Sequence, residues 1–406
     1  MNEYVCPGGQ AFVQNQKRSI HVDMTGLLAK LNRCIAQGPH IVFDTRPSGF
    51  GKTWACDMLC AFYDWTVDGP AIFKGLDIAE DPSFDEYRNR YVVIRLDMAE
   101  LFAHERDYEL GASRVQMLCG RELMMNYPDV CIHDYRALAL TMEAVYLDYR
   151  RSFVVVVDNW DEPLRQARGD KNARRVYAQL LRTLIHNRYT ALAYLTGIVS
   201  PSMCWNDLFA FGVVESSCMS SNPFGPYRGF GKQQVETLSR CWIRDFEALS
   251  SWYGDSRAHG GDSPYAESFS PSSVVLAMAD EGYRCRRNLF GRNEPYAEHI
   301  DRKVANMPLK LAMLLAGGSV SIDPEDPRRG TEAYLATDNG QLELLVHMGC
   351  LSFDAQADTV YIPNKEAYEL LEQLIGLSKK PTYPFGDTRW KDYHKDRQRR
   401  REKTGV

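Results

Sequence analysis

Apolar positions along the chain fall into two periods. Short apolar runs stand at Ile41–Phe43, Tyr91–Leu96, Phe153–Val157 and Ala191–Leu195, the first three with β-branched members. Each is strand-sized and nearly free of polar residues, the pattern of a strand covered on both faces. Between them the spacing becomes helical: Leu27, Leu28, Leu31 and Ile35, then Gly51 to about Tyr63, about 112–126 and about 134–151. Asp23 or Thr25 is placed to cap the first of these helices. Strands alternating with helices over 41–216 predict an α/β fold, three layers built around a parallel sheet.

The flanks read differently. Residues 1–19 are polar and glycine-containing and are expected to form a flexible N-terminus. Residues 223–232 are a Gly/Pro-rich loop, followed by helical segments at about 232–252 and 272–280 with a polar Gly/Ser loop at 254–264. A helix carrying Leu342, Leu344, Leu345 and Met348 ends at Gly349 and gives way to two short strands around a turn. That order predicts a winged-helix hairpin. No basic recognition helix is in view, which argues against reading the hairpin as a DNA reader. The expected division is an N-terminus 1–19, an α/β domain 20–222, a helical domain 223–320, a winged-helix-like domain 321–380 and a basic tail 381–406.

Chemistry enters where the strands end. The run at 41–43 breaks into the loop Arg46-Pro47-Ser48-Gly49-Phe50-Gly51 and then Lys52-Thr53, which opens a helix. Backbone N–H groups of such a loop and the helix N-terminus present positive charge to an anion. Lys52 can reach β- and γ-phosphates, and the Thr53 hydroxyl can hold Mg²⁺. Arg46 stands where the first glycine of that motif belongs. The run at 153–157 delivers Asp158 to the carboxyl edge of the sheet, where it can orient Mg²⁺ or its water shell. Thr196 ends a third run and is placed to sense phosphate from a neighbouring strand.

Composition narrows the class. At 406 residues the chain has room for two or three domains, and a net charge of −5 excludes a general polyanion binder. Eleven cysteines occur without C-x-x-C spacing or a neighbouring His cluster, which argues against zinc and for a reducing compartment. MNEYVCPGGQ lacks the basic and apolar regions of a signal peptide, and the apolar runs are too short to span a membrane. A cytoplasmic location is expected, with a nuclear one left open. The stretch 391–403 holds seven Lys/Arg against three acids. Such a run is ordinarily a solvated end, its sharper alternative being a weak, salt-sensitive nucleic-acid contact.

Several strings together resemble the AAA-ATPase-like family, P-loop proteins often fused to a PD-(D/E)xK nuclease-like domain. The residues that carry this are His21-Val22-Asp23-Met24-Thr25-Gly26, Arg46 to Thr53, Phe73-Lys74-Gly75-Leu76, Val154 to Leu164, Leu195-Thr196-Gly197-Ile198, Trp252-Tyr253-Gly254, Ser270-Pro271-Ser272-Ser273-Val274, Gly349-Cys350-Leu351 and Ile362-Pro363-Asn364-Lys365-Glu366. The resemblance implies a P-loop NTPase sheet followed by a helical region and a winged-helix-like domain. It implies ATP and Mg²⁺ as ligands, with ATP not distinguished from GTP. Arg46, Gly49, Gly51, Lys52, Thr53 and Pro271 would lie against nucleotide, and Thr53 and Asp158 against the metal. Asn159 stands where the family has the Glu that polarises the attacking water. The order Asp-Asn-Trp-Asp-Glu also resembles a NACHT-type pattern, which implies Asp161 or Glu162 as the base, with Thr196 positioning water. Forty residues follow Glu366, too few for the nuclease domain.

Three functions remain open on the sequence: a switch or motor ATPase, a pseudo-ATPase that binds nucleotide or a protein partner without turnover, and a DNA-associated component of a mobile-element or defence system with a nuclease in trans. A homo-oligomer is compatible with each.

Overall fold

The four apolar runs and a fifth, half-polar strand form one parallel sheet: β1 (Ile41–Thr45), β2 (Val92–Asp97), β3 (Phe153–Asp158), β4 (Thr190–Gly197) and β5 (Val213–Ser216), in the order β2-β3-β4-β1-β5. This is a computed structural model. It describes residues 3–18, 20–38, 40–67, 69–103, 105–205, 213–219, 224–255, 268–280, 282–287, 299–301, 303–304 and 306–376. The basic tail and most of the 254–264 loop lie outside these.

The β-branched run of β3 is buried along its whole length, because strand alternation sends successive side chains into two different cores. Val154 and Val156 join Val42 against α1 (Gln10–Gln16), α2 (Gly26–Gln37) and α3 (Lys52–Tyr63). Phe153, Val155 and Val157 join Phe43 against α4 (Tyr108–Asn126), α5 (Leu138–Tyr149) and α6 (Lys171–Ile185). Each such side chain contributes roughly 1.5–3 kcal/mol of burial, which is why the run admits no polar residue before Asp158.

The N-terminal residues are not loose, contrary to the expectation for 1–19. Val5 bridges Ile94 antiparallel, Cys6 N–H donates to Val93 O at 2.7 Å, and Arg95 N–H donates to Tyr4 O at 2.8 Å. Residues 4–6 thereby cover the exposed edge of β2. The buried Glu122 carboxylate accepts the N–H groups of Tyr4 (2.9 Å) and Val5 (2.8 Å), and Phe12 stacks on Phe73 at 5.3 Å. The anchors lie some 60–120 residues away in sequence, so a local reading of the segment could not find them.

The second half is helical. α7 (Lys232–Cys241), α8 (Phe246–Tyr253) and α9 (Pro271–Ala279) enclose a small core with Ile20 and Met24. The single helical segment expected at 232–252 is two helices. Ile243, at φ 51°, turns the chain, and Asp245 caps α8 through Glu247 N–H at 3.0 Å. Next come α10 (Met307–Leu315), β6 (Val320–Ser321), α11 (Asp338–His347), β7 (Ser352–Asp354), β8 (Thr359–Tyr361) and α12 (Lys365–Gly376). The strands form an antiparallel sheet in the order β6-β8-β7. The β7–β8 hairpin stands where the sequence put two strands around a turn.

Candidate functional site

Strand register gathers the chemistry into one row. Asp97 of β2 lies beside Asp158 of β3, Asp158 beside Thr196 of β4, Thr196 beside Asp44 of β1, and Asp44 beside Ser216 of β5. Every strand is apolar up to this rung except at Arg95, Thr190, Tyr194 and Glu215. The chain leaves β1 for the far edge at β2 and leaves β4 for β5 on the other side of β1. β1 therefore stands at the switch point where open α/β sheets take ligands.

The loop after β1 crosses that switch point. Gly49 and Gly51 have φ of 82° and 76°, which a side-chain-bearing residue adopts only under strain. Lys52 folds back, its Nζ donating to Arg46 O at 3.1 Å and Pro47 O at 3.2 Å. Thr53 Oγ1 donates to Asp158 Oδ2 at 2.7 Å, and Asn159 N–H donates to Asp158 Oδ1 at 3.0 Å. Burial first, and then the neighbouring charge of Asp97, push the Asp158 carboxyl up to about 6. The described residues hold no cluster of three or more His, Cys, Asp or Glu able to cage a metal. A hydroxyl and a buried, electrostatically strained carboxylate suit an ion that brings most of its ligands as phosphate and water, as Mg²⁺ does.

A stability effect follows from the sign of that shift. With its folded pKa raised, Asp158 costs stability when ionised. The cost is full above about pH 6 and absent below the ordinary carboxylate range. Asp158→Asn is expected to stabilise the protein by roughly 1–3 kcal/mol at neutral pH. Urea unfolding at pH 7.5 and pH 3 checks this, since the gain should vanish at the lower pH.

Arg46 does not face the phosphate position. Its guanidinium is buried and turned under the loop, Nε donating to Asp44 Oδ2 at 3.1 Å and Nη1 to Phe50 O at 3.3 Å. Tyr194 OH donates to the same Asp44 oxygen at 2.7 Å. Arg228, from the loop after β5, places Nε 3.4 Å from Asp44 Oδ1 and donates to Ser217 O at 2.8 Å and to Thr45 O. An arginine in the first-glycine position is thus an internal strut of the loop.

The expected bases are also engaged elsewhere. Asp161 is buried, and its Oδ2 accepts Ile198 N–H and Val199 N–H, both at 2.9 Å, tying the turn after β3 to the turn after β4. Glu162 is paired with Arg165 (Nε–Oε2 2.9 Å) and accepts Gln166 Nε2 at 2.9 Å. Neither carboxylate is presented to water at the strand edge. Thr196 ends β4 fully buried, with its hydroxyl donating to Asp44 O at 2.7 Å.

The C-terminal half closes on the loop. Ser272 N–H donates to Gly49 O at 3.2 Å, and a Cβ on Gly49 would meet Ser272 Oγ at 2.2 Å. Pro271, in the first turn of α9, therefore stands beside the loop tip. A Cβ on Gly349 would lie 3.0 Å from Pro47 Cβ, so the α11–β7 corner touches the loop's other side. Buried His347 meets Ile198 O at 3.0 Å. The scattered strings of the family resemblance also pair with one another. Asp23 Oδ2 accepts Asp77 N–H at 2.6 Å and Thr25 Oγ1 accepts Ile78 N–H at 3.1 Å, joining the first string to the segment after Phe73–Leu76. Thr25 stands in the N-cap position of α2 but spends its oxygen on that neighbour. Ser273 Oγ donates to Glu366 Oε2 at 2.8 Å, and Arg286 N–H donates to Glu366 Oε1 at 2.8 Å.

Residues 9–203 match the family described as Predicted AAA-ATPase, AAA-ATPase-like. The match covers a little under half of the chain, the part that holds the sheet and the loop after β1. The match supports a nucleotide-binding ATPase. A comparison with curated proteins gives no match. Among solved structures it is similar to the ORC2 protein of Aeropyrum pernix in ADPNP–ADP complexes. That match has 12% identity, 88% of this chain, 96% of that one and a TM-score of 0.39. It is also similar to Cdc6p of Pyrobaculum aerophilum (12%, 87% and 93%, TM-score 0.27) and to PCH-2 of C. elegans (11%, 87% and 67%, TM-score 0.26).

Sequence reasoning missed Asp44, Asp97 and Arg228 at this strand edge. Asp97 carries the signal that found Asp158, a buried apolar run ending in an acid. Asp44 had a weaker form of it, an acid interrupting a strand two residues before an arginine. Arg228 had none, because its partners are 11 and 183 residues away.

Proposed function

We propose that the protein is a Mg²⁺-dependent ATP-binding switch ATPase, in which occupancy of the loop at 46–53 sets the placement of the helical region and of a winged-helix-like lid formed by β6–β8 with α11 and α12. The observation that carries it is the double contact on the loop, Ser272 N–H on the Gly49 carbonyl and Gly349 against Pro47. Phosphate entering the loop must draw the Lys52 ammonium off the Arg46 and Pro47 carbonyls, and that movement is felt on both sides. Lys52 supplies the counter-charge, and the loop N–H groups orient the phosphates. Thr53 and Asp158 would hold Mg²⁺, which when bound neutralises charge on the β- and γ-oxygens. Hydrogen exchange with and without ATP and Mg²⁺ tests the switch. Protection should change at 270–280 and 347–353 as well as at 46–53, and a change confined to 46–53 would reduce the protein to a nucleotide binder. The pseudo-ATPase reading is favoured by one observation, Asn159 in the place of the family's Glu.

A further inference from the structure

We propose that Asp97 is the catalytic base of this site and that Asn159 positions it, an inference that rests on the ATPase reading above. Asp97 ends β2 on the same rung as Asp158, one strand over. Asn159 has φ 54°, and its Nδ2 donates to Asp97 Oδ1 at 3.0 Å. The same oxygen accepts Ala99 N–H at 2.9 Å and Glu100 N–H at 3.4 Å, so three donors fix the carboxylate through Oδ1. Its Oδ2 takes no hydrogen bond from a described residue, and Asp97 is half-exposed while Asp158 is fully buried.

The other acids of this edge are spent. Asp158 is held by Thr53 and the Asn159 N–H, Asp161 by two backbone N–H groups, Glu162 by Arg165 and Gln166, and Asp44 by two arginines and a tyrosine. The amide where the family has Glu is therefore not an empty place. It donates to a carboxylate that the adjacent strand supplies, so the acid has moved one strand across and the amide orients it.

The step balances without a further reactant. Asp97 Oδ2 takes a proton from water as the water oxygen bonds to the γ-phosphorus. The bond from that phosphorus to the β–γ bridging oxygen breaks, its electron pair leaves with ADP, and the proton passes to solvent after phosphate departs. Asp97 also caps the one-turn helix Met98–Leu101, but a cap needs only an oxygen acceptor, which asparagine supplies equally well.

The test compares wild type, Asp97→Asn and the exchanged pair Asp97→Asn with Asn159→Asp. It reads ATP affinity, thermal midpoint and single-turnover phosphate release, with Lys52→Ala as background. Asp97→Asn should retain affinity and midpoint and lose about 10²-fold or more in rate, the ordinary contribution of a positioned base. The exchanged pair should recover much of that loss, which a merely structural cap would not do. A wild-type rate in Asp97→Asn overturns the assignment while leaving the ATPase reading in place. ATP binding by wild type with phosphate release no faster than in Lys52→Ala overturns both the base and the hydrolytic reading. Failure of wild type to bind ATP removes the nucleotide site itself.

Discussion

Replacing Lys52 by alanine is expected to weaken Mg²⁺-ATP binding by about 100-fold, corresponding to roughly 3 kcal/mol for a lost charge-assisted contact with phosphate. The fold should survive. α3 is anchored by Ala55, Met58, Leu59 and Phe62 in the core on its own side of the sheet, and Lys52 contributes nothing to that face. Alanine is also the better helix former at the first turn. The Arg46 and Pro47 carbonyls lose the ammonium that satisfies them, and both residues are buried, so the loop gives up roughly 1–3 kcal/mol of stability, which the anchored helix tolerates. Calorimetric titration with ATP and Mg²⁺, paired with a urea unfolding curve, measures both halves. An unchanged affinity would remove this loop from the nucleotide site.

The parts of this architecture that could be read in the sequence are those set by neighbours in the chain. Phe153–Val157 reads as a doubly buried strand because five apolar residues in a row have no other common use, and the acid at its end follows. Gly51-Lys52-Thr53 reads as a phosphate loop because loop, charge and helix start are adjacent. The β7–β8 hairpin was visible for the same reason. The partners of each group were not visible. Asp161 looks like a free acid in sequence, and only the folded chain shows the two N–H groups after β4 that claim it. Residues 3–18 look loose because Glu122 and Ile94, which tie them down, act through space. Asp97 shows a third kind of miss. Its run was recognised as a strand, but the register that sets it beside Asp158 is fixed only when β2 and β3 pair. Local periodicity specifies elements, whereas a site made of strand ends is specified by strand order.

The largest effect on stability is expected at Asp44. Its side chain is fully buried beneath the loop, between the buried guanidiniums of Arg46 and Arg228, with Tyr194 OH on one oxygen. Asp44→Asn would leave two buried cations without their counter-charge, a loss of roughly 3–5 kcal/mol for a broken buried pair. That is a large part of the 5–15 kcal/mol typical of a folded domain. Arg46→Met should cost less, because Asp44 keeps Arg228 and the Tyr194 hydroxyl as partners. The pH dependence has a definite sign. Burial acts to raise the Asp44 pKa, but the two arginines overcome it and hold the carboxyl below its ordinary value. Its contribution is therefore complete above the ordinary carboxylate range and is lost as pH falls through the lower folded value. Urea unfolding should show wild type and Asp44→Asn far apart at pH 7 and converging in strong acid. Because Arg228 follows β5 and Arg46 opens the loop, the same cluster joins the end of the sheet to the phosphate loop. The Asp44→Asn variant should consequently lose nucleotide affinity along with stability, whereas Arg46→Met should keep most of both. Equal losses in the two variants would mean that the arginine, not the carboxylate, is the keystone of the loop.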